Sequence, residues 1–469
     1  MNLYQMTTPG LAINTYILVD SSAKKGVVID ATRDVSPLLE VLQRDGLQEV
    51  AILETHVHAD FVSGARELKH ILKRNDINTQ IYSSGMGGPT WIPNYADHLV
   101  KDKQELVFGE IKLQAWHTPG HTPEHVMWLL LDKDNVPRKA FTGDFLLFGS
   151  LGRPDLLGEK TLSLLSNQLY NSVFNTLAKL PDAVEIYPAH GAGSLCGKGI
   201  SPQASSTLGE QRKNNPFLIL KPKEEWIRSV LSNMPPAPRY FSIVKQMNLS
   251  GVTLIEELPP LKEFSPLDIL AQDPKEVFFL DVRNKEDFSS NHLAGSINIP
   301  FSPLFLSWAA QMVSYEKSIL MISPDEETLG ELIKNLRTIG LDNLKGFFVF
   351  TPEKMQKIQE NLVSFPLISP QEAYEKMQVK GSAIKILDVR TLPEWNNGHI
   401  DGAERIEVPM LQEYLFKLPK DKTIGLICGS GYRASIAASL LEKNGFNNVF
   451  NIQGGMQAWT KVQLPITKD

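Results

Sequence analysis

Four short segments of the 469-residue chain concentrate histidine and aspartate at tight spacings. They read Thr55-His56-Val57-His58-Ala59-Asp60, Thr118-Pro119-Gly120-His121, Phe141-Thr142-Gly143-Asp144 and Tyr187-Pro188-Ala189-His190. A lone histidine is most often a satisfied polar residue, because ligation is its minority use. A His-x-His-x-Asp cluster beside Gly-His and Gly-Asp turns is different. Residues two apart on extended chain point the same way, so His56 and His58 can converge. A second chemistry stands near the C-terminus, in Cys428-Gly429-Ser430-Gly431-Tyr432-Arg433. A cysteine where a strand turns into a helix faces unpaired N–H groups and the positive helix end, and both stabilise a thiolate. The glycines let the backbone curl around the sulfur, and Arg433 adds a cation. The same cradle suits a cysteine persulfide anion.

These groups need elements to hold them. Apolar runs at 15–19, 26–29, 50–53, 111–116, 126–131 and 139–142 read as strands, with helical periodicity at 34–43 and 64–73. Each histidine or aspartate cluster follows a strand, which predicts one rim of a sheet. A proline-rich stretch at 234–238 and Leu258-Pro259-Pro260 suggest connecting segments. Beyond them the chain repeats. Asp281-Val282-Arg283 is followed by His292, and Asp388-Val389-Arg390 by His399, with a spacing of 11 in both copies. The copies are offset by 107 residues. Each alternates strand and helix, so each is expected to be a parallel α/β unit.

Composition narrows the classes. At 42% apolar and 21% charged, the chain is ordinary for a soluble globular protein. A net charge of −6 argues against nucleic-acid and anionic-membrane partners. The two cysteines, Cys196 and Cys428, cannot organise a disulfide scaffold. The first ten residues have neither a basic start nor an apolar core, and runs such as 126–131 are too short to span a bilayer. A cytoplasmic protein is expected, with a homo-oligomeric assembly.

From Met1 to about Pro216 the motifs resemble the metallo-β-lactamase superfamily, and within it the persulfide (sulfur) dioxygenases. Besides the four clusters, Gly152-Arg153-Pro154-Asp155, Thr207-Leu208-Gly209-Glu210-Gln211-Arg212 and Asn215-Pro216 carry the likeness. It implies His56, His121 and Asp144 as ligands of one Fe(II) per chain, with His58, Asp60 and His190 as their neighbours. Two imidazoles and one carboxylate on one face leave positions open for substrate and dioxygen. Dinuclear hydrolases such as glyoxalase II carry a histidine after the aspartate of the first motif. Here that position is Phe61, which cannot ligate a metal and so favours a mononuclear centre. Arg153 is a candidate for binding the substrate's carboxylate or a sulfur oxyanion, and Arg212 a weaker one. Cys196, six residues past His190, is read as a packing residue.

From about Ser369 to Trp459 the chain resembles the rhodaneses, through Asp388-Val389-Arg390, Gly398-His399-Ile400-Asp401-Gly402 and Gly454-Gly455-Met456-Gln457-Ala458-Trp459. Four residues separate Cys428 from Arg433, the sulfurtransferase length; phosphatase loops of this type have five. The resemblance assigns Cys428 and Arg433 to catalysis and Gly429, Ser430, Gly431 and Tyr432 to an anion cradle. The middle copy has Ser323-Pro324-Asp325-Glu326-Glu327-Thr328 at that place. Serine is a poor sulfur carrier and the acids repel anions, so this copy reads as a silent spacer or docking unit.

The expected architecture is multidomain α/β: an N-terminal αββα metallo-β-lactamase sandwich with a linker (1–250), then two rhodanese-like domains with parallel sheets (262–360 and 366–469). The expected activity is oxidation of a low-molecular-weight thiol persulfide by O2 to sulfite and thiol, coupled to sulfur transfer that forms or uses thiosulfate. The thiol is of the glutathione, coenzyme A or bacillithiol type. The rivals are a dinuclear zinc thioester hydrolase of the glyoxalase II type and a non-enzymatic, sulfide-responsive scaffold.

Overall fold

Every residue of the strand Ile13–Asp20 is buried, as is every residue of Val126–Leu131. Strands with no wet face must lie inside layered sheets, and that is their place in the computed structural model, which describes residues 1–379 and 383–468. Two six-stranded sheets pack face to face. In spatial order the first runs Asn2–Thr8, Ile13–Asp20, Lys25–Ile29, Glu49–Leu53, Asn78–Ser84, His98–Val100. The second runs Ser206–Thr207, Glu185–Pro188, Pro137–Gly143, Val126–Leu131, Ile111–His117, Glu105–Phe108. Leu18, Val27, Leu53, Leu113, Trp128 and Phe141 fill the space between them.

The helices Ser36–Arg44 and Ala65–Arg74 bury Leu38, Leu42, Leu68 and Leu72 on the outer face of the first sheet. Glu159–Asn171 and Lys223–Leu231 place Leu165, Leu169, Trp226 and Val230 inside the fold, the last three in the outer cluster of the second sheet. This is the αββα sandwich expected from the sequence. Two hydrogen bonds tie the sheets together beside the histidine rim. Val126 N–H donates to the Thr55 carbonyl at 2.7 Å, and Trp128 Nε1–H to the Glu54 carbonyl at 3.2 Å.

The chain divides into two compact units, one of residues 1–258 with 334–340 and one of 259–333 with 341–469. The second holds two five-stranded sheets, parallel throughout. One orders its strands Lys262–Glu263, Leu344–Val349, Ser318–Ser323, Val277–Asp281, Ile297–Asn298. The other orders them Leu367–Ile368, Val449–Ile452, Thr423–Ile427, Ile384–Asp388, Glu404–Arg405. The two orders correspond strand for strand. In each, the Asp-Val-Arg arginine folds back onto its own aspartate: Arg283 Nη2 lies 2.7 Å from Asp281 and Arg390 Nη2 2.6 Å from Asp388. Among the described residues no helix is long and apolar enough to cross a membrane.

Candidate functional site

The clusters converge because their strands end on one side. Ile111–His117 and Pro137–Gly143 each run antiparallel to Val126–Leu131 between them, so both point the same way. Glu185–Pro188 is parallel to Pro137–Gly143. One ligand atom each from His56, His121 and Asp144 comes within 4.8 Å of the others, and all three residues are buried.

The hydrogen bonds around these rings decide which nitrogen is free. Thr55 Oγ1 donates to Asp30 Oδ2 at 2.8 Å, so it accepts from His56 Nδ1–H at 2.9 Å. His121 Nδ1–H donates to the Arg153 carbonyl at 3.0 Å. Both imidazoles are therefore left with a bare Nε2. These lie 3.7 and 3.5 Å from Asp144 Oδ2, which is buried without a hydrogen-bond partner. Two lone pairs and an orphaned carboxylate oxygen facing one another repel, and a cation between them removes the repulsion. The fixed Nδ1 partners are the usual supports of a ligating histidine. Burial, then the neighbouring histidines, hold the His56 pKa well below its ordinary value; burial also lowers that of His121. Both rings are thus neutral, as ligation requires.

Gly152 makes one of these supports possible. A Cβ there would stand 2.0 Å from the Asp144 carbonyl and 2.8 Å from the His121 ring. Only glycine lets the chain pass close enough for the next carbonyl, that of Arg153, to reach His121.

His190 bridges two carboxylates, with Nδ1 2.7 Å from Asp144 Oδ1 and Nε2 2.8 Å from Asp60 Oδ2. Burial opposes charge on this ring, but Asp144 and Asp60 outweigh it and hold its pKa well above the ordinary value. His58 turns away. Its Nε2 meets Asp30 Oδ1 at 3.1 Å and Glu54 Oε2 at 3.3 Å; burial again opposes, and the two carboxylates raise its pKa to about 10.

Asp60, His190 and Cys196 form a second close group. There, however, His190 Nδ1 is engaged by Asp144 Oδ1 at 2.7 Å and its Nε2 lies 2.8 Å from Asp60 Oδ2, while the Phe61 ring sits 4.2 Å from the His58 ring, centroid to centroid. The Cys196 thiol stands at this rim and not merely in packing. Burial, then Asp60 and Asp144, push its pKa well up.

Sequence reasoning passed over His125. Its Nε2 accepts from the N–H groups of Asp144 and Phe145 at 3.2 Å each, so its proton sits on Nδ1 and goes to Thr118 Oγ1 at 2.9 Å. It anchors the turn that presents Asp144. The signal was its place four residues past His121. Asp30, Glu54 and Glu124 were also missed; each is a single acid at or near a strand end, with no motif to mark it.

Neither arginine proposed for substrate reaches the centre. The Arg153 guanidinium is fully buried and forks onto Asp155 at 2.6 and 2.7 Å, with a further bond to the Pro235 carbonyl at 2.6 Å. Arg212 pairs with Asp182 and donates to the Leu177 and Leu180 carbonyls at 3.1 and 2.9 Å. Arg153→Ala is expected to lower stability by about 2 kcal/mol, since it removes a fully buried charged donor that joins Asp155 to the Pro235 carbonyl. Arg153→Lys, lacking the fork, should recover little. Urea unfolding of the three proteins checks this.

A cavity of about 300 Å³ opens beside the centre. Val57, Ala59 and Thr122, each next in sequence to a histidine of the clusters, line it together with Trp91, Leu156 and Leu157. This falls at the small end of ligand-site volumes. A larger one, about 730 Å³, touches the cluster only at His190.

In the second unit, Thr423–Ile427 delivers Cys428 to the start of the helix Tyr432–Lys443. Gly431, at φ +90°, donates its N–H to Cys428 Sγ at 3.1 Å. The loop is gripped from behind: Met456 N–H donates to the Cys428 carbonyl at 2.7 Å and Gln457 N–H to the Gly429 carbonyl at 3.0 Å. A Cβ on Gly455 would stand 2.3 Å from the Cys428 carbonyl, which is why glycine occupies that place. Arg433 forks onto Glu394 at 2.7 and 2.5 Å. Burial works against the Glu394 carboxylate, but Arg433 and Thr391 bring its pKa down to about 2. Glu394, in a Thr391-x-x-Glu394 capping box, was not singled out from the sequence.

The middle sheet shares this unit. Ser435 Oγ donates to Asn298 Oδ1 at 2.7 Å, and Tyr432 OH to the Pro300 carbonyl at 2.9 Å. At the place of the cysteine, Ser323 is fully buried and donates its hydroxyl to the Asp325 carbonyl at 2.8 Å.

Known proteins share both parts. The metallo-beta-lactamase superfamily matches residues 8–190 and the rhodanese-like domain residues 369–462. The mitochondrial persulfide dioxygenase ETHE1 of Bos taurus is 31% identical over 254 residues, covering 53% of this chain and 87% of that protein. That of Mus musculus is 32% identical over 255 residues with the same coverage. A crystal structure titled metallo-beta-lactamase, from Staphylococcus aureus, is 30% identical with a TM-score of 0.65, covering 74% of this chain and 98% of its own. With relatives above 30% identity covered over most of their length, the chain belongs to the persulfide dioxygenase family, built on the metallo-β-lactamase fold and carrying a rhodanese-like domain towards its C-terminus.

Proposed function

We propose that the N-terminal domain is a mononuclear non-haem Fe(II) dioxygenase that oxidises a low-molecular-weight thiol persulfide, and that Cys428 carries sulfane sulfur in a coupled transfer. The observation that carries the first half is the pair of bare Nε2 atoms on His56 and His121 facing the orphaned Asp144 Oδ2. This donor set suits iron of the two-histidine, one-carboxylate kind. Bound there, iron would supply the redox chemistry that lets dioxygen react with sulfur.

The balance is RSSH + O2 + H2O → RSH + SO3²⁻ + 2H⁺. The terminal S–S bond breaks, the outer sulfur is oxidised and dioxygen is reduced. The chain's own residues prepare the setting. Thr55 and the Arg153 carbonyl fix the two rings, and His125 fixes the Asp144 turn. His190, held protonated between Asp60 and Asp144, is placed to steady charge at the centre.

At the second site the Cys428 thiolate takes the outer sulfur of a thiol persulfide and releases the thiol. Sulfite then attacks the outer sulfur of the Cys428 persulfide, giving thiosulfate and the Cys428 thiolate. In the reverse direction Cys428 takes that sulfur from thiosulfate, releasing sulfite, and a small thiol then removes it from Cys428. Gly431 N–H steadies the sulfur in both states. We assign the domains as 1–250, 262–360 and 366–469, the last two lying largely in the second compact unit, in a cytoplasmic protein. The middle domain carries no sulfur. In a full-length Cys428→Ser protein, adding Ser323→Cys is expected to restore no transfer from thiosulfate, because the buried serine site faces acids where Gly-Ser-Gly stands in the other copy. Transfer clearly above the single variant overturns that assignment.

Oxygen uptake by iron-loaded protein, run against a panel of thiol persulfides with metal analysis alongside, tests the whole reading. About one iron per chain and sulfite formation are expected. Two zincs per chain with thioester hydrolysis would replace it with the hydrolase.

A further inference from the structure

Neither Arg153 nor Arg212 is available to a substrate, and the cavity beside the centre receives its charge from elsewhere. Its remaining wall comes from the helix Tyr240–Ser250, which follows the proline-rich stretch and supplies Phe241, Ser242 and Lys245. Lys245 is the one charged side chain among the residues lining this cavity. It is half-buried. Its contact is with the face of Trp91, Nζ standing 5.1 Å from the ring centroid. No carboxylate pairs with it among the described residues.

The acids of the neighbouring segments contact other groups. Glu124 accepts from Val57 N–H at 2.8 Å, and Asp60 lies against His190. Ser242 donates its hydroxyl to the Arg239 carbonyl at 3.0 Å, so it does not compete. A half-buried ammonium with its stem along an aromatic wall and no counter-ion attracts an anion, and the aromatic face orients it without neutralising it.

We infer that Lys245 selects thiol persulfides whose tail carries an anionic group, a carboxylate or a phosphate, and holds that group at the cavity wall while the persulfide end reaches the His56–His121–Asp144 centre. This rests on the dioxygenase reading above and deepens it. A surface lysine gains little from such a pair, but one already partly desolvated and lacking a partner gains more.

The test uses matched pairs on the iron-loaded, full-length protein. The persulfides of 3-mercaptopropionate and 3-mercaptopropan-1-ol differ by a carboxylate; those of 4′-phosphopantetheine and pantetheine differ by a phosphate. In the native protein, kcat/KM for at least one anionic member should exceed that of its neutral partner by about 5- to 10-fold. The pair showing it tells which anion is read. Lys245→Met should erase the preference through KM, with kcat for the neutral member near native, while Lys245→Arg should keep it.

Equilibrium binding of the four unsulfurated thiols, followed by calorimetry, gives the same contrast without turnover. If no persulfide supports oxygen uptake, the dioxygenase reading fails, and the binding contrast still decides the role of Lys245. If the anionic-to-neutral ratio is the same in native protein and Lys245→Met, in turnover and in binding, the inference is overturned. Should Lys245→Met not fold, Lys245→Gln carries the same comparison.

Discussion

Cys428→Ser is expected to abolish sulfur transfer from thiosulfate, by at least ~10³-fold, the order seen when a covalent nucleophile is removed. A serine hydroxyl does not become a persulfide carrier. The rest of the loop should persist. Gly431 N–H keeps an oxygen acceptor in place of sulfur, and the bonds from Met456 and Gln457 to the loop carbonyls are untouched. Persulfide-dependent oxygen uptake should stay within about twofold of native, since none of the groups around His56, His121 and Asp144 comes from the Cys428 loop. The accumulating product should be sulfite in place of thiosulfate. Ion chromatography of products with an oxygen electrode checks both halves. If oxygen uptake disappears while iron content and unfolding midpoint are unchanged, the persulfide reaches iron by way of Cys428, and the picture of independent sites must be given up.

The converse is expected of His121→Ala. It removes one of two imidazole donors and leaves the Arg153 carbonyl without its N–H donor. Changes to partners that only support a ligand lower metal affinity ~10- to 100-fold, so loss of the ligand itself should cost at least ~100-fold, with iron-dependent oxygen uptake falling to background. Transfer from thiosulfate should remain near native, because Cys428, Gly431, Arg433 and Glu394 all lie in the other compact unit. Metal analysis after desalting and a thiosulfate assay on the same sample make the comparison. Full iron retention with native oxygen uptake would remove His121 from the ligand set.

Much of the fold was legible because strands here announce themselves by continuous burial. The runs at 15–19, 50–53 and 126–131 fall inside observed strands, as a sheet covered on both faces requires. Their alternation with helical patterns suggested sheets covered by helices, and the αββα arrangement was what the resemblance to the metallo-β-lactamase superfamily implied. The 107-residue repeat was legible through Asp281 and Asp388, and both copies fold with the same strand order. The roles of side chains were harder to see. Arg153 stands in a motif beside the centre and looks poised for an anion, yet its guanidinium turns into the protein, and it is the backbone carbonyl that reaches the centre. A sequence lists side chains and is silent on which carbonyl will face a ring.

By itself the sequence determined the donor types, their placement after strands, the presence of Phe61 directly after the first cluster, and the Cys428-to-Arg433 spacing. These are local properties, readable because strand and turn geometry set them within a few residues. Only the tertiary structure decided which ring nitrogens are bare, that His125 holds the Asp144 turn, that Glu394 orients Arg433, and that a helix after the proline-rich stretch places Lys245 on the cavity wall. Apart from the bond between the neighbours Thr55 and His56, which is itself set by Asp30 on another strand end, each joins residues from different elements, from 19 positions apart for His125 and Asp144 to more than a hundred. Such a contact depends on how sheets and helices stack, which no local pattern encodes.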